Sequence, residues 1–406
     1  MSGKKKILFV CQYFYPEVFR GNDIAFYLAQ EGHDVHVVTG IPNYPAGKFY
    51  PGYGIFKKRH EEINGVKVTH LPIIPRGNNK FMLMLNYFSF LVMGCLYMLW
   101  HAIFHKYDMV FCQQLSPVMM STPAVLYKKI RHVPLYTWVL DLWPESLTAA
   151  GGISNKYVLG FFDWFVKTEY KNSDRILTSS RSFDQSILKY GDYKDKIIYY
   201  PQWGDGVDGC ASVDTRFKLP DIPQGFVVMF AGAVGEAHGM ECNMQAALLT
   251  KGHEEIKWVI VGDGRKLPWV QQFIKDNELE NTVFTLGRFP SETMPMFFEK
   301  ADVMLVSLTD SPLFNLYAPA KISSYMASGR PILACLNGEG GDVVVSASCG
   351  WSVKAGEAKE LANLVIKLSK TPKEELQILG ENGRKYYDDN FNKEKCLKKL
   401  NEIMSL

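Results

Sequence analysis

Apolar residues in this chain gather into short runs separated by polar, Pro- and Gly-bearing segments, the pattern of buried parallel strands alternating with helices. Ile7-Leu8-Phe9-Val10 is the first run and Val35 to Thr39 the second. Between them, residues 22–30 carry Ile24, Ala25 and Leu28 on one helical face and stop before Gly32, so the chain opens β-α-β. Strands are predicted again at 108–112, 135–140, 175–180 and 197–200, with helices over 116–129, 161–171 and 182–190. A polar stretch at 207–224, holding Pro220 and Pro223, reads as a linker. The series then restarts at Phe226 to Ala231, with further strands at 258–261, from Val283, at 302–308 and at 332–336. Helices are expected from Glu241, over 361–368, 374–389 and 392–405. A chain of 406 residues is too long for one ordinary core. The expectation is α/β, two Rossmann-like doubly wound domains.

Phe81 to Phe104 breaks the pattern. It is the most apolar segment, without Lys, Arg, Asp or Glu, and carries His101 near its end. Its length meets the roughly 20 residues a membrane span requires. Three readings stay open: a spanning helix, a wholly buried helix, or a helix packing one face on its domain and offering Phe81, Met82, Tyr87, Phe88, Tyr97 and Trp100 to a bilayer surface. Arg76, Lys80, Lys106 and the Lys128-Lys129-Arg131 cluster could meet anionic headgroups beside it.

A net charge of +3 with no Lys/Arg run longer than three argues against nucleic acid as a partner. Eight cysteines are scattered without metal-ligand or disulfide-framework spacing, which fits a reducing cytosol. Lys4-Lys5-Lys6 and the apolar run after it are too short for a signal peptide, because the run turns polar at Gln12.

Candidate chemistry falls where strands end, since open α/β sheets place ligands beyond the carboxyl ends of their strands. The loops after the first two strands hold Tyr15, and then Asn43 and Tyr44 in a Pro/Gly/aromatic segment. The opening β-α-β unit carries no G-x-G-x-x-G fingerprint after its first strand, which weakens a nicotinamide or flavin reading. After the strand at 135–140 comes Asp141-Leu142-Trp143-Pro144-Glu145-Ser146. Its two carboxylates could bind acceptor hydroxyls or take a proton, or could simply cap the next helix. In the second half, Gly232 and Gly235 follow a strand and precede a helix, so backbone N–H groups could approach a phosphate, with Glu236 beside them. Gly262 and Arg265 follow the next strand, and Arg288 the one after. The segment from Ala318 to Ala334 centres on Pro319 and Lys321 at a helix start, followed by a Gly329-Arg330-Pro331 break and a buried strand. A helix N-terminus with a lysine beside it suits a diphosphate.

Pro319-Ala320-Lys321 with Tyr325-Met326-Ala327-Ser328-Gly329-Arg330-Pro331 resembles the donor-binding helix of GT-B glycosyltransferases. The match is to the large family-4 type of retaining, nucleotide-sugar-dependent enzymes, and especially to bacterial fucosamine-transferase-like members that build surface polysaccharides. The Asp141 to Ser146 string and the 42–53 loop are similar to the same group, and the likeness runs along nearly the whole chain. It implies a GT-B architecture with an interdomain cleft: residues 1–208 for acceptor, 209–390 for nucleotide sugar, and 391–406 a C-terminal helix that could pack back on the first domain. It also implies a hexosyltransferase moving a sugar, an N-acetylated hexosamine or deoxy derivative, from UDP to a polyprenyl-diphosphate-linked saccharide for capsule, O-antigen or exopolysaccharide. The expected location is cytoplasmic, peripheral on the inner face of the membrane.

By the same resemblance Gly232, Gly235, Glu236, Gly262, Arg265, Arg288, Tyr317, Ala318, Lys321 and Ser324 are donor-binding. Tyr15, Asn43, Tyr44 and Trp143 are acceptor-binding, and Asp141, Glu145 and Lys321 catalytic. Without an Asp-x-Asp motif, no cofactor or metal is expected. The Gly232 and Gly235 amides, the helix N-terminus and Lys321 would stabilise the leaving diphosphate. Many members carry two glutamates eight positions apart, where this chain has Leu316 and Ser324, and a basic Arg and Lys in the glycine loop, where it has neither. Those departures motivate a non-catalytic nucleotide-binding scaffold as one alternative, and a nucleotide-sugar 2-epimerase is another.

Overall fold

A computed structural model describes residues 3–152, 154–204 and 218–405, which divide into two units. The first joins Met1–Tyr200 to Leu397–Leu406, and the second is Pro201–Cys396. The expected linker lies outside the described residues up to position 217.

The first unit opens with β1 (Lys6–Val10), α1 (Arg20–Gln30), β2 (Asp34–Gly40), β3 (His60–Ile63) and β4 (Val66–Leu71). Then come α2 (Lys80–Phe104), β5 (Met109–Gln114), α3 (Thr122–Arg131), β6 (Leu135–Val139) and α4 (Glu145–Gly151). α5 (Lys156–Asn172), β7 (Arg175–Thr178), α6 (Asp184–Ile187) and β8 (Ile197–Tyr199) complete it. Its sheet runs β3-β4-β2-β1-β5-β6-β7-β8, antiparallel only between β3 and β4. With a parallel neighbour at each edge, β1 buries Ile7 to Val10 completely. β3 and β4 turn through Asn64-Gly65, both at positive φ as a two-residue hairpin requires.

The helix α2 settles part of the ambiguity at Phe81 to Phe104. Asn79 caps it by accepting from the Met82 amide at 2.8 Å. Asn86, Phe90, Gly94 and Met98, spaced by four, form one buried stripe. Gly94 lets the helices close, since a Cβ there would stand 2.6 Å from Pro123 of α3. Phe81, Met84, Val92, Leu96, Leu99, Trp100, Ile103 and Phe104 are exposed along the other side. The wholly buried reading is therefore corrected, because only 22% of the most apolar window is buried. Near its C-terminal end, His101 and His36 of β2 share the Tyr107 hydroxyl at 2.9 and 2.5 Å, tying α2 to the sheet.

Behind α3, Glu169 of α5 is buried and accepts from the Ser121 hydroxyl. Burial pushes its carboxyl up from 4.5 to about 8. A carboxyl raised in this way contributes most to stability below about pH 4.5, and the contribution is lost as pH rises through about 8. Glu169→Gln is expected to flatten the fall in unfolding free energy over that window, as read by urea titration. An unchanged slope would place the pH dependence elsewhere, with Glu17 (raised to about 7 by burial) the next group to test.

The second unit comprises β9 (Phe226–Ala231), α7 (Met240–Leu249), β10 (Ile256–Val261), α8 (Leu267–Asp276), β11 (Val283–Gly287), α9 (Met294–Phe298) and β12 (Val303–Ser307). It continues with α10 (Ala320–Ala327), β13 (Ile332–Cys335), α11 (Glu339–Ser346), β14 (Gly350–Val353), α12 (Ala358–Leu368) and α13 (Lys373–Asn390). The sheet is β11-β10-β9-β12-β13-β14, parallel throughout. Successive β9 residues serve opposite faces: Val228 and Phe230 join one core with Trp258 and Leu361, Val227 and Met229 another with Tyr325 and Met326. That is a doubly wound sheet. A last helix, α14 (Lys393–Met404), begins in this unit and ends in the first, where Asn401 donates to the Tyr27 hydroxyl at 3.1 Å.

Candidate active site

In the second unit the loops after β9 and β10 and the start of α10 converge on Lys321. The Tyr325 hydroxyl accepts from the Ala231 amide at 3.0 Å and donates to the Ala231 carbonyl at 2.9 Å, fixing α10 against the end of β9. One turn earlier on α10, Lys321 reaches across Gly232. A Cβ at Gly232 (φ +133) would lie 2.5 Å from the Lys321 Cε. At Gly262 (φ +149) it would overlap the Gly232 carbonyl, so both positions require glycine.

The Lys321 ammonium is buried and has no hydrogen-bond partner among the described residues, although the residue as a whole is only half-buried. It sits 3.8 Å from the centre of the Phe230 ring. Desolvation pulls its pKa from 10.5 down to about 7. The amides of Ala320 and Lys321, at the free first turn of α10, have no acceptor among the described residues, and neither has that of Ala233. An unsatisfied cation and three idle amides make an anion site.

One expected contribution is corrected. The Gly232 amide donates to the Val261 carbonyl at 2.8 Å and the Gly235 amide to His238 Nδ1 at 3.2 Å, so neither is available to a phosphate. The second bond makes Nδ1 an acceptor and leaves the proton on Nε2, a donor that the sequence reading passed over. Burial, with the Lys321 charge second, lowers the His238 pKa to about 4, keeping the ring neutral. Glu236 is exposed and paired with Lys266 at 3.3 Å, and Glu241 shares the same ammonium. Arg265 and Arg288 are exposed in the loops after β10 and β11. Tyr317 and Ala318 are half-buried just before α10, and Ser324 lies on its second turn with the Gly204 backbone packed against it.

A buried carboxylate was also missed. Glu339 begins α11 and is 5% exposed. The backbone there presses on the donor side: a Cβ at Gly338 would overlap the Asn315 carbonyl, and one at Gly340 would stand 3.0 Å from Pro319. The start of α11 thus packs against Asn315 and Pro319, on either side of Leu316. The signal was Gly338-Glu339-Gly340-Gly341 directly after a strand.

In the first unit the loops after β1 and β2 meet Arg76, and Tyr87 of α2 stands between it and the loops after β5 and β6. Its guanidinium donates to the Tyr13 hydroxyl at 2.9 Å and lies 5.3 Å from the Tyr44 ring and 5.9 Å from Tyr87 of α2. Asp141 accepts from Trp143 Nε1 at 3.2 Å and from Ser146, with Ser116 also within 3.2 Å of the indole. Asn43 is fully buried: its side chain accepts from the Arg76 amide and donates to the Ile41 carbonyl, so it shapes the loop. Buried Glu17 accepts from the amides of Phe14, Asn43 and Tyr44 at 3.2, 2.7 and 2.6 Å. Tyr15 is exposed with its ring edge on Phe26, outside the Arg76 group. Glu145 faces α6, where Ser186 donates to it. Among the described residues no three His, Cys, Asp or Glu side chains converge as metal ligands.

Residues 225–371, which carry the Lys321 site, match the family model described as Glycosyl transferases group 1. The Escherichia coli protein assigned the name colanic acid biosynthesis glycosyl transferase WcaI is 23% identical over 317 residues, 75% of each chain. Sucrose-phosphate synthase from Thermosynechococcus elongatus superposes with a TM-score of 0.73 at 14% identity, covering 99% of this chain and 98% of that one. Anabaena HepE, solved with UDP and glucose, gives 0.67 at 15% identity and covers 99% of both. The fold is GT-B. The chain is a glycosyltransferase. In this glycosyltransferase the group 1 match covers the whole of β9 through α12, and so every donor-side residue named above.

Proposed function

We propose that this glycosyltransferase moves a sugar, an N-acetylated hexosamine or a deoxy derivative, from UDP to a polyprenyl-diphosphate-linked saccharide, with retention and without a metal. The bacterial product would be a surface polysaccharide, as the name of the WcaI relative suggests for that protein. The fucosamine-transferase-like group is the proposed subclass. The observation that carries the reading is the buried, unpartnered Lys321 ammonium beside idle amides of α10. UDP in the HepE complex supports the choice of nucleotide.

On this reading the diphosphate sits against Lys321 and the Ala233, Ala320 and Lys321 amides, with His238 Nε2 as a further donor. Negative charge grows on the leaving oxygen as the glycosidic bond breaks, and these preorganised donors stabilise it most at that point. Phosphate binding returns the Lys321 charge that burial removes. The leaving phosphate then takes the acceptor's proton on the same face, so Asp141 holds the acceptor rather than serving as base. Ser324 would meet the ribose and Glu339 the sugar hydroxyls. The exposed face of α2 would lie on the cytoplasmic leaflet, with Arg76 and Lys80 at one end and Lys106 at the other meeting anionic headgroups.

The test is incubation with UDP-linked sugars and a polyprenyl-diphosphate saccharide in vesicles, followed by UDP release and NMR of the new anomeric centre. Transfer with the donor's configuration is expected. Epimerised nucleotide sugar formed without acceptor would replace this reading with the epimerase. Binding of UDP-sugars with no turnover on any acceptor would replace it with the scaffold.

A further inference from the structure

The proposed reading leaves open how the first unit would hold the charged end of a lipid-linked acceptor. Arg76 is a half-buried guanidinium with no ion pair among the described residues. An arginine held this way without a carboxylate is unusual, because a partly desolvated charge is normally paired. Three tyrosines hold it: Tyr13 by a hydrogen bond at 2.9 Å, Tyr44 and Tyr87 by ring contact. These phenols orient the fork without neutralising it. The carboxyl that acts on it from the loop floor, Glu17, is engaged by three amides.

The position is also specific. Arg76 stands four residues before α2, and its guanidinium touches α2 at Tyr87, between the buried stripe and the apolar outer face. Lys80, exposed, opens the helix, and Phe81 begins the exposed apolar row immediately after it. Tyr87 in turn lies near Asp141 and Ser116, which hold Trp143. A planar cation, an exposed lysine, an apolar helix face and the Asp141–Trp143 pair are therefore joined through α2.

We infer that Arg76, with Lys80, binds the diphosphate of the lipid-linked acceptor while its hydrocarbon chain follows the exposed face of α2. The inference rests on the acceptor class proposed above. Arg76 is assigned by its fork geometry, which suits a phosphate's paired oxygens better than a lysine does. Its role is binding. No bond is made or broken at Arg76.

The experiment is flotation with phosphatidylcholine vesicles doped with undecaprenyl diphosphate, or with the same charge supplied as phosphatidylglycerol. The wild-type protein should bind the diphosphate-doped vesicles at least about tenfold more tightly, one bidentate charge-assisted contact being of that order. Arg76→Ala should abolish the preference and Arg76→Lys should restore only part of it. UDP affinity, read by calorimetry on the same preparations, should stay unchanged in both, and wild-type circular dichroism and melting of both variants show that the first unit folds. If Arg76→Ala does not fold, Tyr13→Phe, which frees the fork from its bond, should shift the preference without unfolding the chain. Equal binding of both vesicle types by the wild type would overturn the inference, as would an Arg76→Ala protein that keeps the preference. Loss of UDP binding in the wild type would instead strike the donor reading and leave the vesicle result standing.

Discussion

Lys321→Ala is expected to weaken UDP binding by about ten- to a hundredfold, since a charge-assisted bond contributes about 1.5–3 kcal/mol and each 1.4 kcal/mol is tenfold. The ligand-free protein should respond in the opposite sense. An ammonium buried without a partner costs stability, and a lysine whose pKa falls from 10.5 to about 7 on folding favours the unfolded state wherever that state is charged. Lys321→Met, which keeps the stem on Phe230, should therefore raise the melting temperature of the free protein, while UDP no longer raises it further. A pH dependence follows from the same pKa. Above about pH 7 the free lysine is largely neutral and must take up a proton to meet a diphosphate. UDP affinity should thus fall as pH rises from 7 towards 9, with proton uptake detectable by calorimetry in buffers of different ionisation enthalpy. In Lys321→Met that uptake should vanish. A destabilised Lys321→Met protein with undiminished UDP affinity would show the lysine to be structural.

The second large effect is expected on α2. Leu96 and Ile103 are exposed on one stripe, 56% and 68% accessible, so glutamate at both should leave the fold intact. Each apolar side chain seated in a membrane interface contributes up to about 1.5–3 kcal/mol, so removing two and adding two charges should cut vesicle binding by more than about tenfold. Phe90→Glu, on the buried stripe, should unfold the unit instead. The Leu96→Glu, Ile103→Glu protein should bind UDP normally, yet transfer sugar poorly to acceptor in vesicles and well to a detergent-solubilised one. Unimpaired vesicle binding would mean that this face seats something other than lipid. Release of the wild type by alkaline carbonate is expected for a peripheral helix.

Much of the fold was legible because its strands are buried on both faces. Such strands read as plain apolar runs, as Ile7 to Val10 and Phe226 to Ala231 do. The β3–β4 hairpin escaped because His60-Glu61-Glu62-Ile63 is a half-exposed edge strand whose identity lies in Asn64-Gly65. β14 escaped for a similar reason, as a four-residue strand at the other sheet's edge. At the site, Lys321 and the two glycines were visible through spacing. Which amides remain free was not, since Gly232 and Gly235 spend theirs on Val261 and His238. His238, Glu17 and Glu339 were missed, and Arg76 was read only as a headgroup contact, because each acquires its meaning from partners distant in sequence or from burial. Cys242 and Cys335 teach the same lesson: 93 positions apart, their sulfurs lie 3.6 Å from each other in the core.

The most direct measurement is calorimetric titration of UDP, with GDP and ADP as controls, into the folded wild-type protein at about pH 7. A donor site built on Lys321, His238 and the first turn of α10 should bind UDP selectively, and more weakly at higher pH. Failure of folded protein to bind any of the three nucleotides would contradict the assignment of this site to a nucleotide sugar.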